Sequence, residues 1–147
     1  SERGAFDRLR LRSDGASAEV CRHGAHVLGW RPRGAAMDRL FLSARSVYAD
    51  GAAIRGGVPV VFPQFSGFGP LPKHGFARNR AWRVVDASAP DRITLTFADD
   101  TATRALWPHA FEAELAVVLA ADTLAITLTV TNTRDAPLSF TAALHTY

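Results

Sequence analysis

The chain has 147 residues, 48% of them hydrophobic, with 17 basic and 14 acidic side chains for a formal charge of +3. That is enough apolar material for a sizeable core, while a single cysteine excludes an intrachain disulfide framework and a cysteine-rich zinc site. No apolar run is long enough to cross a bilayer, the charged residues 1–12 lack the profile of a secretory leader, and the arginines are scattered from Arg3 to Arg134 with Lys73 as the only lysine; a cytoplasmic protein with no membrane or nucleic-acid partner is expected.

Short strands are predicted first, at residues 6–12, 18–23 and 26–31. Cys21 falls in the second and is expected to be buried or half-buried. His23 and His26 flank Gly24-Ala25 and read as strand-turn residues, because no carboxylate or cysteine at suitable spacing completes a metal site. Over residues 45–80 the alternation stops, and Gly51, Gly56, Gly57, Gly67, Gly69 and Gly75 mix with Pro59, Pro63, Pro70 and Pro72. A stretch of this composition inside a compact domain reads as a long functional loop, and Phe62, Phe65, Phe68 and Phe76 argue against disorder. Beyond it, 82–87 forms another short strand candidate. Ile93, Leu95 and Phe97 alternate with threonines, 112–120 forms a further run, and Ala121-Asp122 is a hairpin turn into Leu124, Ile126, Leu128 and Val130. A final strand is predicted with Phe140, Ala142 and Leu144 on one side and Thr141, Ala143, His145 and Tyr147 on the other. No stretch combines helical spacing with start and stop signals over three turns. The class is all-β and antiparallel.

Several residues carry chemistry. His74 precedes Gly75, which permits close backbone approach, and an imidazole can exchange a proton at neutral pH. Taken alone, a loop histidine and the strand histidine His145 are more often structural. Arg55, beside Gly56 and Gly57, and Arg78 are embedded in the glycine-rich segment, where guanidinium groups and backbone amides suit a small anion. Gln64 is a candidate hydrogen-bonding partner of such a ligand, with Lys73 and Arg80 behind it. Gly67-Phe68-Gly69 lacks the third glycine and the following helix of a dinucleotide fingerprint. His109, between Trp107 and Phe111, is open between a site residue and a packing one. Asp50 is the acid nearest the glycine segment, and it reads as a turn residue.

The stretch from Ile54-Arg55-Gly56-Gly57-Val58-Pro59 through Leu71-Pro72-Lys73-His74-Gly75-Phe76-Ala77-Arg78-Asn79-Arg80, followed by Leu106-Trp107-Pro108-His109 and Leu144-His145-Thr146-Tyr147, resembles the aldose 1-epimerase superfamily, and within it the hexose-6-phosphate mutarotases. The resemblance implies a twisted antiparallel β-sandwich that interconverts the α and β anomers of a hexose 6-phosphate without metal, nucleotide or redox cofactor. It implies that His145 is the acid that protonates the ring oxygen, that His74 helps polarise it, and that Arg55, Arg78, Gln64, Gly56 and Gly57 contact substrate. No acid matches the family's general base. Residues 1–147 are therefore expected to be the N-terminal portion of one sandwich domain, inactive alone, prone to self-association, with the base in a later part. Three other readings are a non-catalytic sugar-binding module of this fold, an aldose 1-epimerase without phosphate specificity, and a basic nucleic-acid binder stacking bases on Phe62, Phe65 and Phe68.

Overall fold

In the computed structural model, which describes residues 4–147, Leu9 and Leu11 are buried while Arg10 and Arg12 face solvent. This period of two makes β1 (Leu9–Ser13). The strand begins later than the pattern predicts, because Phe6 sits in a turn with its ring 4.6 Å from that of His23. Residues 1–3 of the charged opening stretch lie outside the described residues. Asp14 and Gly15 both take positive φ, 45° and 82°, as a tight two-residue hairpin requires. β2 (Ala16–Cys21) then returns with Leu9 opposite Val20, and β3 (His26–Arg31) completes a three-stranded antiparallel sheet with a bulge at Glu19/Val20. Cys21 is buried at the end of its strand, and desolvation pushes its thiol up to about 11.

The middle of the chain corrects one expectation. Residues 45–80 are not one continuous loop, because β4 (Val60–Val61) interrupts them and Ile54, Val58, Phe62, Phe76 and Ala77 are buried. Phe62 is fully buried, with the rings of Phe76, Phe97, Trp107, Phe111 and Phe140 around it. The Phe62–Pro63 peptide is cis.

The second sheet is the legible one. β5 (Arg83–Asp86), β6 (Arg92–Ala98), β7 (Phe111–Leu119) and β8 (Leu124–Asn132) run antiparallel in that order. Phe111, Ala113, Leu115, Val117 and Leu119 are all buried on one face of β7, and β1 and β2 pack against that strand. The two sheets therefore form the layers of a sandwich with the apolar core between them. Ala120 N–H donates to the Thr123 carbonyl at 2.9 Å and closes the turn predicted at Ala121-Asp122.

One helix was not predicted. α1 (Thr101–Leu106) is six residues long, too short to show a periodic pattern, and its start is fixed by a capping box. Asp100 accepts from the Thr103 N–H at 2.7 Å, and Thr103 accepts from the Asp100 N–H at 2.9 Å. Among the described residues, no helix is long and apolar enough to cross a membrane.

The predicted final strand shrinks to β9 (Ala143–Leu144), with Leu144 opposite Val60 and Ala143 opposite Val61. Hydrogen bonding continues irregularly beyond both ends: Thr141 N–H reaches the Pro63 carbonyl at 2.9 Å, His145 N–H that of Pro59 at 3.1 Å, and Tyr147 N–H that of Gly57 at 3.0 Å. This seam lays residues 141–147 along 57–63 and gathers the chemistry.

Candidate active site

Leu144 packs toward the core, so strand alternation turns His145 to the opposite side. There its ring centroid lies 6.1 Å from that of His74, and its plane stacks on Tyr147 at 4.5 Å and 28°. The Nδ1 of His145 is buried with no hydrogen-bond partner among the described residues.

His74 is held in an uncommon backbone conformation, φ 66°, and Gly75 follows at φ 70°. A Cβ at Gly75 would stand 2.2 Å from the Phe62 carbonyl oxygen, so only glycine lets the chain pass. The His74 N–H donates to the Ser66 carbonyl at 3.0 Å, and the Ser66 N–H donates to His74 Nδ1 at 3.0 Å. Because Nδ1 accepts, the neutral ring carries its proton on Nε2, which is thereby a donor. Desolvation, then the charges of Arg78, Lys73 and His145, lower the pKa of His74 and favour that neutral form.

Gln64 has a different place from the one expected. It is buried inside the loop, where its amide donates to the carbonyls of Ser66 and Leu71 and accepts from the Leu71 N–H, at 2.9, 3.1 and 2.9 Å. Its amide oxygen and nitrogen are spent holding the loop in shape. The same loop presents Phe65 and Phe68 as a stacked, exposed pair, with Phe65 5.5 Å from the His74 ring.

Next to His74 lies a hollow of about 480 Å³ whose wall includes Arg55, Gly56, Lys73, Arg78 and Tyr147. Among the described residues, Arg55, Lys73 and Arg78 make no ion pair with a carboxylate and no aspartate or glutamate lines the hollow. Burial first, with the Arg55 charge in the same direction and Tyr147 opposing, lowers the pKa of Arg78 from its ordinary value. Unpaired cations in a partly desolvated recess are the electrostatic condition for binding an anion. A wider, more open depression of about 660 Å³ lies at the β1–β2 hairpin, beside Arg10, Arg12 and Asp91. It holds no histidine, and its arginines share it with carboxylates.

The structure thus brings together His74, His145, Arg55, Gly56, Lys73 and Arg78. Gly57, expected to contact substrate, is buried and absent from the lining, its N–H donating to the Phe41 carbonyl at 2.7 Å and its carbonyl accepting from the Tyr147 N–H at 3.0 Å. Arg80 points elsewhere, paired with Asp100 at 3.2 Å, and Asp50 is exposed outside the lining. His109 rests on Trp107 at 4.6 Å, and Trp107 packs on Phe62 and Phe111. Tyr147 was missed as a wall residue. Its signal was the period-two pattern that puts it on the His145 side.

His23 and His26 are buried, and each ring holds a carbonyl of the glycine segment: Nε2 of His23 that of Ala52 at 2.9 Å, Nε2 of His26 that of Gly56 at 2.6 Å. Burial lowers the pKa of His26 to about 4. The sign follows. Between about pH 4 and the ordinary 6.5, the unfolded chain binds a proton that the folded chain refuses, so stability falls as pH drops through this window. The expected loss is roughly 3 kcal/mol, and His74 adds to it with the same sign. Urea unfolding at pH 7 and at pH 4.5 should show it, and an equal pH dependence in a folded His26→Phe variant would contradict it.

Comparison with known proteins gives a consistent result. The aldose 1-epimerase family profile matches residues 7–147. A "Putative glucose-6-phosphate 1-epimerase" from Escherichia coli K12 is 37% identical over 138 residues, covering 88% of this chain and 44% of that protein. A protein of the same name from Cenchrus ciliaris is 36% identical over 141 residues, covering 88% of this chain and 43% of the relative. A crystal structure of a "putative mutarotase" from Salmonella typhimurium superposes with a TM-score of 0.77 at 32% identity, covering 93% of this chain and 46% of that one. The chain spans less than half the length of the curated relatives it matches.

Proposed function

We propose, from the premise that this chain belongs to the aldose 1-epimerase family, that its hollow binds a hexose 6-phosphate and serves the interconversion of α and β anomers. The observation that carries the phosphate is the set of three cations without ion pairs, Arg55, Lys73 and Arg78, lining a hollow with His74 and with no aspartate or glutamate among the described residues of its wall, while His145 stands beside His74. The names of the relatives from Escherichia coli and Cenchrus ciliaris point the same way.

In this reading the phosphate sits against Arg55 and Arg78 near the Gly56-Gly57 backbone, and the sugar ring reaches toward the histidines. His74 donates from Nε2 to the ring oxygen and polarises it. His145 delivers a proton to that oxygen as the C1–O5 bond breaks, while a base takes the proton of the anomeric hydroxyl. The open aldehyde turns about its C1–C2 bond, and the reverse transfers close the ring on the other face. Among the described residues, no aspartate or glutamate lines the hollow to take the part of the base.

Arg55→Ala or Arg78→Ala is expected to weaken glucose 6-phosphate binding by about 1.5–3 kcal/mol, the range for hydrogen bonds to a charged group. Binding of glucose should change little. Calorimetric titration with both sugars checks this. Equal losses for both would assign the arginines to loop shape and favour an aldose 1-epimerase indifferent to phosphate.

A further inference from the structure

We propose that His26, a residue outside the hollow, is a positioning residue for its anion-binding end, acting through the Gly56 carbonyl on the direction in which Arg55 leaves the backbone. The proposal rests on the reading of Arg55 as a phosphate contact.

The geometry points inward from three sides. The Arg55 N–H donates to Ser46 Oγ at 3.2 Å, and the Arg55 carbonyl accepts from the Ser43 N–H at 2.9 Å, which holds the residue from its solvent side. Beyond it, Gly56 and Gly57 take φ values of 118° and 60°. A Cβ on Gly56 would meet the Phe41 carbonyl oxygen at 2.3 Å, and one on Gly57 would meet the Val27 carbonyl oxygen at 2.1 Å and His26 Nε2 at 3.1 Å. The two glycines therefore pass between β3 and the Phe41 backbone with no room for side chains. The peptide plane between the two glycines is held at its amide edge, where the Gly57 N–H donates to the Phe41 carbonyl at 2.7 Å; glycine's wide conformational freedom leaves such a turn dependent on bonds of this kind.

The hydrogen bond from His26 holds the opposite, carbonyl edge of the same plane. A carbonyl can only accept, so the 2.6 Å contact requires the proton on Nε2 and leaves Nδ1 bare. That Nδ1 is buried and has no partner among the described residues. The imidazole thus makes one directional bond, and its far edge serves no other group. If apolar filling were the only task at this site, a phenyl ring would perform it without burying an unpaired acceptor. The imidazole stands on β3 where its one donor reaches the carbonyl of Gly56, the residue after Arg55.

The test compares His26→Phe, which keeps the ring and removes the donor, with His26→Gln, which keeps an N–H at a similar reach. Glucose 6-phosphate and glucose are titrated into each variant and into Arg55→Ala. The expected result is a loss of about tenfold or more in glucose 6-phosphate affinity for His26→Phe, with glucose within about threefold of the parent and His26→Gln restoring most of the loss. Should His26→Phe fail to fold, nitrogen-15 NMR of the parent protein decides. A protonated Nε2 with bare Nδ1, together with near-parental affinity in His26→Gln, supports the proposal, and the opposite tautomer or a tenfold loss in His26→Gln overturns it. If Arg55→Ala leaves glucose 6-phosphate affinity unchanged, the phosphate reading itself fails. If Arg55→Ala weakens binding and a folded His26→Phe does not, only the positioning role fails.

Discussion

Replacing His145 with alanine is expected to lower the turnover number for hexose 6-phosphate anomerisation by roughly 10²–10⁴-fold, the usual contribution of a positioned general acid. KM should stay within about threefold, because the acid acts most strongly as charge develops on the ring oxygen and little in the ground state. The geometry supports this division of labour. His145 follows directly on β9 with its ring braced on Tyr147, whereas the cations line the neighbouring hollow. His74 differs from it, since its Nδ1 is occupied by the Ser66 N–H and its Nε2 is a ready donor. Loss of His74 should therefore affect both parameters. Exchange NMR between the two anomers measures the rates directly, and near-normal turnover in His145→Ala would reject the assigned acid whatever happened to binding.

Phe62→Ala should destabilise the fold by about 3–5 kcal/mol, as expected when a fully buried phenyl ring leaves a cavity. Five aromatic rings lie with centroids between 5.3 and 6.4 Å of it. These rings hold one another in place and cannot collapse far into the space. The damage should reach the site, because the Phe62 carbonyl accepts from the N–H groups of Phe76 and Ala77, and Gly75 passes against it. Those residues lead out of the loop that carries His74. Chemical denaturation gives the number, and a loss under about 1.5 kcal/mol would mean that the cluster repacks.

How much of this was legible in the sequence depends on the length scale of each signal. β7 and β8 announce themselves, since Leu124, Ile126, Leu128 and Val130 alternate with small or polar residues over a full strand. β4 does not, because two consecutive valines show no period, and the alternation that marks the final strand around β9 does not say which segment it pairs with. Their pairing nevertheless joins His74 to His145, so the site was visible as separate motifs but not as one place. α1 was missed for a similar reason. Six residues show no helical stripe, and its only mark was the Asp100–Thr103 spacing.

Residue roles within the loop were hidden for another reason. Nothing local tells a glutamine facing a ligand from one folded back on its own loop, and Gln64 finds its partners at Ser66 and Leu71 only once the chain has turned. Likewise His23 and His26 read as turn residues, while the carbonyls they hold lie 29 and 30 positions away. Arg55 and Arg78 stand out in the sequence because glycine marks the special backbone beside them, and both line the hollow. Arg80, expected only as a supporting contact, is drawn to the helix cap by its partner Asp100.

The most direct test of the account is a crystal structure of the protein with glucose 6-phosphate bound. The phosphate should lie between the guanidinium groups of Arg55 and Arg78, within reach of the Gly56-Gly57 backbone, with the ring oxygen facing His74 Nε2 and His145. A phosphate held instead at the Arg10 and Arg12 depression, or a sugar bound with its phosphate turned away from Arg55 and Arg78, would contradict it.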